Sequence, residues 1–136
     1  MRSGLFSLVL GAGLVMSVPL MAHHGAASFD ADKEITLKGI VTEWLWANPH
    51  CLLSFDAKDD TGMVRHWSAE VGNPPDITKR GWSRTSFKAG DVVSVMLQPV
   101  KNGSPVGRIR SVILANGQVL APGGPAPGAA PAEPAR

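Results

Sequence analysis

The side chains with most chemistry to offer are the histidines at 23, 24, 50 and 66, the lone Cys51 and four tryptophans. His23 and His24 stand together in "VPLMAHHGAASFDADKE" (18–34), directly after an apolar run. If a protease cuts after Ala22, His23 becomes the first residue of the mature chain. A terminal histidine carries a free α-amine beside its own imidazole, and the two can close a chelate ring on a metal ion. That amine, with an ordinary pKa of about 7.7–8.0, gives up its proton readily when a metal competes for it. His24 could instead act through the amine and the intervening amide nitrogen, so the two modes compete for one group. Nitrogen-rich ligation of this kind favours Cu(II) among first-row ions, which makes copper the candidate cofactor.

The third ligand in this reading is His50, in "WLWANPHC" (44–51). Pro49 restrains the backbone before it, and His50 opens a strand, so its imidazole projects from a stiff place. Cys51 is its neighbour, but strand alternation sends it to the opposite face; the thiol reads as a small buried hydrophobe. His66, mid-strand in "RHW", reads as a surface group. A cut after Ala27 would remove both leading histidines and end the idea.

Trp44 and Trp46 share one strand face near the turn that leads to His50, and Trp67 sits on a later strand. Aromatic rings on a barrel face stack on sugars or peptide side chains. The alternative to a metal site is therefore a metal-free periplasmic adaptor, or a carbohydrate- or peptide-binding module, using Trp44, Trp46 and Trp67. Packing is the competing explanation for such rings.

Catalytic constellations are absent or generic. Asp56, Asp59 and Asp60 cluster where turn chemistry explains them. No spacing specifies a carboxylate pair of Glu43 and Glu70, and Ser68 beside His66 lacks a group to orient a base. "GSPVG" (103–107) is a hairpin connection rather than a dinucleotide fingerprint. The sequence favours binding over catalysis; a copper-dependent redox enzyme on the same brace is a third reading.

These residues must be positioned by the rest of the chain. Met1-Arg2 followed by an apolar stretch from Leu5 to Leu20, ending in Leu20-Met21-Ala22, reads as a signal peptide over 1–22. The run is shorter than the roughly 20 residues a spanning helix needs, so the mature form is expected to have no stable membrane span and to be periplasmic or secreted. With Arg2 removed from the 13 basic residues, they stay one ahead of the 11 acidic ones. That balance lacks the basic footprint that nucleic acid requires. The partners left are a metal ion or a cell-envelope ligand. One cysteine allows no intramolecular disulfide.

A lead segment (23–33) precedes the globular part, and "APGGPAPGAAPAEPAR" (121–136) reads as a disordered Pro/Ala/Gly-rich tail. Residues 34–120 read as a single small domain. Strands are expected over 34–46, 50–57 and 64–70, with Gly39 marking a bend. Asn73-Pro74-Pro75-Asp76 opens a short helix running to about Trp82. Strands over 92–100 and 106–114 follow, Arg108 and Arg110 lying on the wet face of the second. The order β-β-β-α-β-β is that of an all-β OB-like barrel with one short helix; an open antiparallel sheet crossed by the helix is the alternative.

The mature start in His-His, "WANPH" (46–50), "RGW" (80–82) with Glu70 and Pro75 upstream, and "AGDVVSV" (89–95) resemble a family of small exported bacterial proteins classed as a domain of unknown function. The resemblance covers about residues 23–120. It implies a periplasmic or secreted protein with a small β-rich domain, and brings no ligand or catalytic residue. Cys51 stands where the family pattern leads us to expect a small apolar residue.

Overall fold

The computed structural model describes residues 29–124. The expected signal peptide, His23, His24 and the tail beyond Gly124 lie outside the described residues. Within them the chain forms β1 (Ile35–Leu45), β2 (Leu52–Lys58), β3 (Val64–Glu70), α1 (Pro74–Thr78), β4 (Val92–Pro99), β5 (Val106–Leu114) and β6 (Val119–Leu120). The sheet runs β3-β2-β1-β4-β5-β6, and a parallel pairing of β3 with β5 closes the first five strands into a barrel. The expected order and OB-like architecture are therefore those observed. β6 is an addition to that order, a two-residue strand folded back on β5 after the Asn116-Gly117 turn.

Closure depends on β1, which serves two neighbours in succession. Its first half, Ile35–Ile40, pairs with β4, and its second half, Gly39–Leu45, pairs with β2. Gly39 sits in both ladders. A Cβ there would lie 2.6 Å from the Asp56 carbonyl oxygen and 2.8 Å from Phe55, so only glycine lets the strand bend this sharply onto β2. Just beyond it a bulge between Val41 and Glu43 shifts the register. Val41 points into the core, and after the bulge Trp44 and Trp46 pack against that core in turn.

Alternation on β2, β3 and β4 fills the barrel. Leu53, Phe55, Ala57, Trp67, Ala69, Val93, Val95 and Leu97 are all buried, and among the described residues no polar or charged residue joins them. The helix contributes Ile77 to the core. Asn73 caps it, accepting from the Asp76 N–H at 2.9 Å, with Pro74 in the first turn where no donor is needed. The helix stops at Thr78, short of the expected Trp82. Gly81 takes a left-handed φ of 87°, and the N–H groups of Gly81 and Trp82 return to the carbonyls of Thr78 and Ile77. That closing pattern turns the chain out of the helix and drops the Trp82 ring into the core.

Candidate functional site

The β1–β2 connection passes through a cis peptide bond between Asn48 and Pro49 and delivers His50 and Cys51 to opposite sides of the wall. Cys51 has no exposed surface, while the His50 side chain is 44% exposed. The Cys51 thiol donates weakly to the Ala47 carbonyl at 3.7 Å. Burial pushes its pKa up, against smaller lowering effects from that bond and from Arg84. The thiol is a core group, as alternation along the strand requires.

His50 stands over the seam between β3 and β5. Its Nδ1 lies 3.8 Å from Glu70 Oε2, and Glu70 is only 16% exposed. The other oxygen, Oε1, accepts from Arg108 Nε and Nη2, each at 3.4 Å. Glu70 and Arg108 are partners in the parallel ladder that closes the barrel. The Arg108 guanidinium also covers the Phe29 ring at 4.4 Å from its centroid. Arg108 lies on the outer face of β5 as expected, 37% exposed, with Glu70 of β3 and Phe29 of the lead segment covering part of it. Arg110 stays exposed and pairs with Glu34 at 3.3 Å.

A shallow cavity of about 240 Å³ lies at this point, with His50, Glu70, Arg108 and Arg110 contributing its polar lining. It combines an imidazole, a half-buried carboxylate and two guanidiniums. The Glu70 carboxylate lies on the Nδ1 side of the imidazole, the kind of neighbour that metal-binding histidines commonly have. Among the described residues no cluster of three or more His, Cys, Asp or Glu is gathered that could hold a metal ion.

His66 is a surface group, 63% exposed, with its Nδ1 2.7 Å from Asp56 across the strand pair. The tryptophans divide. Trp44 and Trp46 come together at 5.8 Å between ring centroids, and Trp44 also meets Trp82 at 6.0 Å and Phe87 at 5.1 Å. The Trp44 indole N–H donates to the Ser83 carbonyl at 3.0 Å, tying the loop after α1 to β1. Trp67 is only 6% exposed, beneath the Arg65 guanidinium, and borders a separate groove. The three rings are not displayed as one platform.

Glu70 and Arg108 were the residues that sequence reasoning did not assemble. A signal was present, an acidic residue ending one strand and a basic residue near the start of another. Only the parallel closure makes them neighbours, because they stand 38 positions apart.

Fold and cluster define a small OB-like barrel with His50, Glu70 and Arg108 grouped on its closing seam. The model of DUF6152, a family of unknown function, matches residues 12–109, and the chain belongs to that family. No curated protein matches the sequence. Among the described residues no helix is long and apolar enough to cross a membrane.

Proposed function

We propose that the protein is an exported, non-catalytic barrel that binds Cu(II) through the His23 α-amine and imidazole, with His24 and His50 as further nitrogen donors. The observation that carries this reading is the placement of Phe29. Its ring lies under Arg108, Arg108 bonds Glu70, and Glu70 faces His50. Phe29 is also fixed by a bridge to Val100, and the next residue, Asp30, donates its N–H to the Pro99 carbonyl at 2.8 Å. The chain is therefore anchored beside the cavity only five residues after His24, a span of at most about 18 Å. Histidines on so short a tether have a high effective concentration at His50.

Copper titration of the mature protein tests the reading. The expected result is one equivalent bound with a ligand-field band, lost in His23→Ala and altered in nitrogen hyperfine structure in His50→Ala. A mature chain that begins after Ala27, or copper uptake unchanged in His23→Ala, overturns it.

A further inference from the structure

A second groove lies away from the His50 cavity, and its shape follows from the double duty of β1. Residues 35–38 of β1 have β4 on one side, but β2 pairs only from Gly39 onward. The β2–β3 hairpin curls away, leaving a fork of about 540 Å³ bordered by Ile35, Thr36 and Leu37 on one side and by Asp59 and Asp60 on the other. Trp67 and Arg65 border it as well, with the Arg65 guanidinium held to the Gly103 carbonyl at 3.1 Å. Among the described residues the 35–38 edge, about 13 Å long at roughly 3.3 Å per residue, is thus unpaired, and its residues 35–37 border a preformed groove. Backbone groups on such an edge are a template for another strand.

Charge selects the occupant. Lys33, Lys58 and Lys101, from three separate parts of the chain, border the groove with Arg65. None of the three lysines is in an ion pair among the described residues. Two of the groove's carboxylates are used by their own turns. Asp59 Oδ1 accepts from the Thr61 N–H and hydroxyl and from the Met63 N–H, and Asp30 Oδ1 accepts from the Asp32 N–H. The Thr61 hydroxyl bond, with the backbone bonds behind it, holds the Asp59 carboxyl below its ordinary pKa. Lys33, Lys58, Arg65 and Lys101 still outnumber Asp30, Asp59 and Asp60, so the groove keeps a net positive charge, and its lysines are the groups left to meet a ligand. A second copy of this edge would bring like charges together, and the chain's own tail, with prolines at 125, 127, 131 and 134, lacks the N–H groups a ladder needs.

We infer that the Ile35–Lys38 edge of β1 is a docking site for an extended acidic segment of a partner protein, which adds to the sheet as a strand with its carboxylates among Lys33, Lys58 and Lys101. The site is separate from the proposed metal centre and stands or falls without it.

The test titrates isotope-labelled mature protein with a synthetic eight-residue peptide alternating Glu and Val, and with the same peptide methylated at every backbone nitrogen. The expected result is shifted and exchange-protected amides within 35–38, with affinity at least tenfold lower for the methylated peptide. Lys58→Glu/Lys101→Glu should also weaken binding at least tenfold, with Lys79→Glu on the helix side unchanged. Equal binding of the methylated peptide would reduce the site to charge attraction and overturn the inference. So would binding that leaves the 35–38 amides unmoved, no peptide binding at all, or capture of an acidic oligosaccharide such as alginate in preference to the peptide. The methylation arm needs only the wild-type protein, so it decides the matter even if the double variant fails to fold.

Discussion

Glu70 and Arg108 face each other across the seam that turns the sheet into a barrel, as ladder partners whose side chains also bond, at 3.4 Å. The same carboxylate lies beside His50, so the contact that fixes the closure also positions the candidate ligand. Replacing Arg108 by Met would leave Glu70 half-buried without its cation and uncover Phe29. We expect a loss of about 1–2 kcal/mol, read as a lower urea midpoint with an unchanged slope. Arg110→Met, which removes only the exposed pair with Glu34, should cost no more than about 0.5 kcal/mol. Equal effects of the two would show that the seam contact adds nothing beyond a surface pair.

Gly39 is the second structural pivot. Alanine there would place its methyl against the Asp56 backbone, which cannot retreat without breaking the β1–β2 ladder. The expected cost of such crowding is about 1–3 kcal/mol. Gly62, in the β2–β3 turn, supplies the contrast. Its φ of 84° strains any replacement, yet nothing lies within 4 Å of an added Cβ. Gly62→Asn, a residue that tolerates left-handed backbone, should cost less. Thermal unfolding of the two variants distinguishes crowding from backbone preference.

Cys51 gives a dependence on alkaline pH with a definite sign. Burial holds the folded thiol's pKa above its ordinary value of 9.0. As pH rises past about 9 the unfolded chain loses the thiol proton first, so unfolding gains and stability falls until the folded thiol also ionises. Below that window the group contributes no pH dependence. The drop in unfolding free energy between pH 7 and pH 10 should be smaller in Cys51→Ala than in the parent protein. Iodoacetamide should modify Cys51 slowly in buffer and rapidly in urea, and fast reaction in buffer would contradict the burial.

These contrasts show what was legible in the sequence. Strand positions were, because alternation and turn residues report local geometry: β3 and β5 occupy the expected residues. The bend at Gly39 was legible for the same reason. The helix end was less so, since the pattern "DITKRGW" can continue helically to Trp82 until Gly81 adopts its left-handed conformation. The barrel was legible from the element order, but the residue pairs across its seam were not, because an acidic strand end and a basic strand start do not fix the register of β3 against β5. Hence His50 could be named from the sequence while its grouping with Glu70 and Arg108 could not. Trp67 illustrates the reverse: its type suggests a ligand platform, and only packing against the barrel interior shows that most of the ring is enclosed.

The sharpest functional prediction concerns Phe29, a residue that supplies no ligand atom. If histidines at the mature start meet His50, the anchor holding the lead segment beside the cavity sets their effective concentration. Phe29 has 3% of its surface exposed, lies under Arg108 and bridges Val100. Phe29→Ala would remove the ring while leaving all three histidines in place. Copper should still bind through the terminal amine and imidazole, but the contribution of His50 should weaken, lowering affinity by roughly tenfold, or about 1.4 kcal/mol. The variant's copper spectrum should then resemble that of His50→Ala rather than that of His23→Ala. Copper affinity and spectrum indistinguishable from the parent protein would mean that the anchor and the metal act independently, and that His50 is not brought into the site by the lead segment.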